Sequence, residues 1–182
     1  RGNAAIMTRG MFANSRLRNH LLYDVEGGYS RYEDAPVGPI YAVAQQYAAD
    51  HTPLVIMAGR DYGTGPSRDW AAKGTRLLGV QAVIAESFDR SHRANLIGMG
   101  VLPLQFMPQQ GWHALQLQGN ESVTLHLPRT LHPGQSIGMM ISSPSGKVVT
   151  TQLLLRLDTP AEIEYFASGG VLSHLLTTLL AT

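Results

Sequence analysis

The chain of 182 residues contains no cysteine. It therefore carries no thiolate and cannot itself hold an iron–sulfur cluster. No apolar run is long and uninterrupted enough to span a bilayer, which excludes a membrane helix. An excess of charge of one sign is also missing: Lys and Arg number 14 against 13 Asp and Glu, a formal net charge of +1. Such a balance gives no basic field of the kind that announces nucleic-acid or membrane-surface binding. Common catalytic and nucleotide signatures are absent too. Gly59, Gly63 and Gly65 do not make G-x-G-x-x-G, and no Gly-Lys-Ser/Thr follows them. The seven histidines are scattered, none in H-E-x-x-H, and there is no G-x-S-x-G elbow. The seven methionines read as core filling.

What is present suits a soluble globular domain, with 44% hydrophobic and 15% charged residues in a length that can bury a proper core. No secretory pattern is read at the start, so the expectation is a cytoplasmic protein. The organising stretch is Leu54 to Phe106. Leu54 to Ala58 is a short apolar run bounded by Pro53 and Gly59, the pattern of a strand in a sheet covered on both faces. It leads into the string YGTGPSRDW, Tyr62 to Trp70, and the residues from Pro66 or Ser67 onward predict a helix that stops near Gly74 or Gly79. The motif thus opens a helix. The first N–H groups of a helix lack intrahelical partners and the macrodipole is positive there, so the turn can seat a carboxylate or a phosphate, with Ser67 and Arg68 as added donors. The same residues are also ordinary punctuation, with Ser67 as an N-cap and Arg68 as a solvated charge.

Further elements follow in order. Phe12 to Leu22 reads as a short helix, Asp24 to Pro39 as a loop and Ile40 to Ala49 as an amphipathic helix with Ile40, Val43, Ala44 and Tyr47 on one face. Ala82 to Ala85 reads as a strand, Phe88 to Ile97 as a helix and Val101 to Phe106 as a strand, an order that predicts an α/β half with parallel strands. Beyond Pro108 the strand candidates are Ser122 to Leu127, Ser136 to Ile141 and Val148 to Leu157. Helices are expected over Pro160 to Ala167, after an Asp158-Thr159 cap, and over Val171 to Leu180, after a break at Gly169-Gly170. Arg9, Arg16 and Arg18 read first as surface charges, with substrate-side contacts as the alternative. His92 and Asn95, three apart on one helix, read as a structural hydrogen-bonding pair and stay outside the site.

The string AGRDYGTGPSRDWAAKGTRLLGVQAVIAESFDRSHRANLIGMGVLPLQF resembles the C-terminal swivel domain of aconitases, most closely the bacterial aconitase and iron-regulatory-protein branch. RGNAAIMTRGMFANSRLRN at the start and DTPAEIEYFASGGVLSHLL near the end resemble the same family, so the likeness covers nearly the whole chain. It implies one domain over residues 1–182, a layered β/β/α fold whose parallel half is followed by antiparallel strands packed on the first sheet. It implies a hydro-lyase that converts citrate to isocitrate through cis-aconitate, with 2-methylcitrate dehydratase as the nearest enzymatic alternative and an RNA-binding regulator or an impaired binding domain as the alternative of another class. The family's four-iron four-sulfur cluster would be held elsewhere, so the chain is expected to be a C-terminal piece of a longer protein or a small subunit docked on a cluster-bearing partner. Ser67 and Arg68 match the family's substrate-binding and charge-stabilising residues. The family's proton-exchanging serine, first in a Gly-Ser-Ser-Arg turn, is here Pro66. Proline is accepted in the first turn of a helix but has no hydroxyl to take a proton. Thr64 has a nearby hydroxyl, though a base must come within about 3 Å of the proton it removes.

Overall fold

Three short apolar segments, each followed by a helix or a crossover, build the parallel half. In the computed structural model, which describes residues 3–66 and 68–181, the chain opens with a helix, α1 (Ala4–Arg9), and a two-stranded ribbon, β1 (Tyr29–Ser30) with β2 (Gly38–Pro39). Then come α2 (Ile40–Ala49), β3 (Leu54–Ala58), α3 (Arg68–Leu77), β4 (Val80–Ala85), α4 (Arg90–Gly98) and β5 (Leu102–Phe106). The remainder is β6 (Ser122–His126), β7 (Ser136–Ser142), β8 (Val148–Leu155), α5 (Pro160–Ala167) and α6 (Val171–Leu180). Among the described residues no helix is long and apolar enough to cross a membrane.

The six strands β3 to β8 form one sheet in the order β3-β4-β5-β8-β7-β6. β3, β4 and β5 run parallel, with Ile56 opposite Val83 and Ile84 opposite Leu104. β5 then pairs antiparallel with β8, placing Leu104 opposite Leu155 and Phe106 opposite Leu153, and β7 and β6 continue antiparallel. The fold is thus the mixed α/β arrangement expected. The antiparallel half joins the parallel half by hydrogen bonds along β5 and β8, so the two layers are parts of one curled sheet.

Strand alternation explains the two cores. Ala82, Ile84, Leu102, Leu104 and Phe106 share one buried cluster with Ile137, Met139, Ile141, Leu153 and Leu155, so the antiparallel strands cover one face of the parallel ones. The opposite face, with Val80 and Val83, packs against Ala72 of α3 and Leu96 of α4. Each fully buried side chain of this size stabilises by roughly 1.5–3 kcal/mol, which is what holds the two halves together.

Two expectations need correction, on the segment from Phe12 to Leu22 and on β3. The segment from Phe12 to Leu22 contains no helix: the helix is α1, capped by Asn3, and Phe12 has φ 58°. Asn14 Oδ1 accepts from the Arg16 amide at 2.9 Å and Asn19 Oδ1 from the Leu21 amide at 3.2 Å, local bonds that compete with helical ones. β3 is an edge strand paired with β4 alone, so its residues are half-buried, not covered on both faces. α6 forms where expected, but Leu172, Leu175, Leu176, Leu179 and Leu180 are all more than half exposed.

Candidate functional site

The carboxyl ends of β3 and β4 are neighbours in a parallel pair, so the loops leaving them meet above the same sheet edge, the usual place for a ligand in such folds. Each loop delivers the start of a helix there, α3 from the first and α4 from the second. The two loops are laced together. The Glu86 amide donates to the carbonyls of Ala58 and Gly59 at 3.3 and 3.1 Å. The Asp61 amide donates to Ser87 Oγ at 2.7 Å, and Ser87 Oγ donates to Asp61 Oδ1 at 3.1 Å. The Tyr62 amide donates to the Ser87 carbonyl at 3.0 Å, and the Asp89 amide donates back to the Tyr62 carbonyl at 2.9 Å.

Tyr62 anchors the turn from below. Its ring packs against Phe88, with centroids 6.1 Å apart, and against His92 at 5.4 Å, within the core beneath α3 and α4. Burial pushes its phenol up to about 12, with only a partial offset from a hydrogen bond to Thr75. Tyr62 is therefore neutral at physiological pH.

Gly63 follows with φ 94°, a conformation glycine adopts freely, and a Cβ built there would lie 2.2 Å from His92 Cγ. The Thr64 amide donates to the Asp61 carbonyl at 3.3 Å, and Thr64, Gly65 and Pro66 are exposed. Ser67 lies outside the described residues, as does the side chain of Arg68, whose backbone is the first residue of α3. The helix runs through Gly74, which packs against Met11, and ends before Gly79.

At the second helix start Asp89 is the N-cap: its Oδ1 accepts from the amides of Ser91 and His92 at 2.9 and 3.0 Å. His92 is buried, 2% exposed. The spacing suggests a structural pair with Asn95, whereas the ring faces Tyr62 and Gly63. The available signal was local, a histidine in the first turn of a helix that starts where the next parallel strand ends.

The N-terminal arginines behave as surface charges. Arg18 pairs with Glu26 at an exposed bridge, and the Arg9 guanidinium lies 5.3 Å over the Tyr41 ring. Among the described residues no group of three or more His, Cys, Asp or Glu is arranged to hold a metal ion.

Residues 1–109 match the family described as Aconitase C-terminal domain. The chain is 46% identical over 181 residues to aconitate hydratase A of Thermus thermophilus, covering 99% of this chain and 20% of that protein. It is 49% identical over 184 residues to aconitate hydratase A of Pseudomonas aeruginosa, again 99% of this chain and 20% of the relative. The chain thus spans about a fifth of the length of the curated relatives it matches. Among solved structures, a 3-isopropylmalate dehydratase from Methanocaldococcus jannaschii aligns at 21% identity and TM-score 0.47, over 82% of this chain and 83% of that one.

Proposed function

The chain belongs to the aconitase C-terminal domain family, and from that premise we propose that it is the swivel domain, residues 1–182, of a cytoplasmic hydro-lyase that interconverts citrate and isocitrate through cis-aconitate. The observation that carries this reading is the sequence Gly65-Pro66-Ser67-Arg68 in the segment between β3 and α3, in a chain nearly half identical to aconitate hydratases.

The chemistry asked of these residues is binding and orientation. The first amides of a helix have no intrahelical acceptor and favour a carboxylate, and Arg68 supplies a guanidinium that can grip one through two parallel hydrogen bonds. Ser67 adds a hydroxyl donor and acceptor. The hydrogen bonds of Tyr62 to Ser87 and Asp89, which hold the glycine-rich segment beside the start of α4, support this role. The family's iron–sulfur cluster does not fit this chain, because clusters of that type are held by cysteine thiolates and the sequence has none. The cluster therefore belongs to other domains of the same protein or to a partner subunit, onto which this domain would close. Proton abstraction has no counterpart at Pro66, so the turn binds substrate without supplying the base found there in the family.

The test uses the complete cluster-bearing protein and measures conversion of citrate and of 2-methylcitrate to their unsaturated acids. Faster conversion of citrate is expected. Faster conversion of 2-methylcitrate would replace the substrate assignment. No conversion of either, together with RNA binding that weakens steeply as salt rises, would replace the enzymatic reading altogether.

A further inference from the structure

We infer that His92 is a positioning residue for the substrate turn, acting through Gly63; this rests on the reading of Gly65 to Arg68 as the turn that binds the carboxylate. The ordinary role of a buried histidine is to fill a core. His92 differs in what it touches. A Cβ at Gly63 would lie 2.2, 2.3 and 2.4 Å from His92 Cγ, Cδ2 and Cβ, so the backbone of the turn rests directly on the imidazole with no side chain between them. Real Cβ contacts are essentially never that close, and residue 63 is free of one only because it is glycine.

The residue before the contact carries two backbone ties. The Tyr62 amide donates a hydrogen bond to the Ser87 carbonyl and the Tyr62 carbonyl accepts one from the Asp89 amide, both partners lying in the segment that leads into α4. Asp89 in turn caps the His92 amide through Oδ1 at 3.0 Å. The carboxylate that starts α4, the ring that supports the turn and the backbone of Tyr62 are therefore set as one unit. Gly65 is two residues beyond Gly63, and α3 begins at Arg68. The height of the His92 ring above α4 sets the height of the turn, while the strands below, fixed by their ladders, stay where they are.

The relation predicts reciprocal relief. In the complete cluster-bearing protein Gly63→Ala drives a methyl into the ring and lowers kcat/KM for the tricarboxylate by roughly 100-fold, the scale of a ~1 Å misplacement. The loss should appear chiefly as a raised KM, because the displaced groups bind substrate. His92→Ala removes the floor and costs roughly tenfold. Relief needs His92→Gly, because alanine keeps the Cβ that lies 2.4 Å from the new methyl; with Gly63→Ala and His92→Gly together the methyl occupies the space left, and the combined loss should be about tenfold smaller than the product of the two single losses. Losses that multiply within about twofold would overturn the inference. A second measurement does not depend on turnover or on Gly63→Ala folding. In His92→Ala, amide hydrogen exchange over residues 59–66 should rise by about tenfold while β7 and β8 keep their protection; unchanged exchange over 59–66 overturns the proposal. If the complete protein converts no tricarboxylate, the proposed function fails, and the exchange result still decides the role of His92.

Discussion

Arg93 of α4 grips both carboxylate oxygens of Glu162 on α5: Nη2 donates to Oε1 at 2.9 Å and Nη1 to Oε2 at 3.0 Å. Nη1 also donates to the Arg156 carbonyl at 2.7 Å, and the Asp158 amide donates to Glu162 Oε2 at 2.6 Å. The two side chains are only 11% and 17% exposed. This pair fastens α5 to the helix that Asp89 caps and whose first turn carries His92.

The fastening is sensitive to acid. Burial works to raise the Glu162 carboxyl, but the hydrogen bonds from Arg93 and from the Asp158 amide, with the Arg93 charge, outweigh it and hold the carboxyl below its usual range. A folded value below the unfolded one means that the unfolded chain binds more protons in the window between them. The stabilisation is therefore complete above about pH 5 and fades as pH falls through the folded value. Glu162→Gln should cost about 1–3 kcal/mol at neutral pH, allowing for partial solvent screening. Its thermal midpoint should also fall less steeply than that of the unsubstituted protein between about pH 5 and pH 3. Parallel pH profiles would show that this pair is not the source of the acid sensitivity.

A glycine contact locks the start of α6. Gly100 has φ 73°, and a Cβ there would lie 2.6 Å from the Gly169 carbonyl oxygen, backbone against backbone. Neither side can give way cheaply, so Gly100→Ala should lose about 2–4 kcal/mol in urea unfolding. Gly146, with φ 84° and nothing within 4 Å of a built Cβ, is the control and should lose about 1 kcal/mol for backbone strain alone. Equal losses at the two positions would mean that the clash with Gly169 is relieved by movement of α6.

Local chemistry was legible in the sequence. The Asp158-Thr159 cap and Pro160 announced α5, and Thr159 Oγ1 does accept from the Glu162 amide at 3.3 Å. The βαβ order followed from apolar runs of strand length separated by helical ones. The junction of β5 with β8 did not, because pairing Phe106 with Leu153 is a long-range choice that neither segment's periodicity encodes. Phe12 to Leu22 misled because its apolar residues suit a helix while Asn14 and Asn19 divert the backbone amides. At the site, the glycine-rich turn and the helix start were visible. The support from His92 was not, since it depends on two segments about thirty residues apart meeting at one sheet edge. α6 shows the limit of periodicity: it reports that leucines recur, and says nothing of what covers them.

The most direct measurement is turnover of citrate by the complete cluster-bearing protein with and without Pro66→Ser. If the turn at the start of α3 binds the substrate and lacks only its base, the substitution should raise kcat by about a hundred- to ten-thousand-fold, the usual contribution of a positioned proton acceptor. KM should move far less, because Ser67 and Arg68 stand in both forms and a group acting in the transition state alone affects the catalytic constant most. The fold should be unaffected, since a helix start accepts proline or serine. Equal turnover in the two forms would contradict this assignment and place the base on another residue.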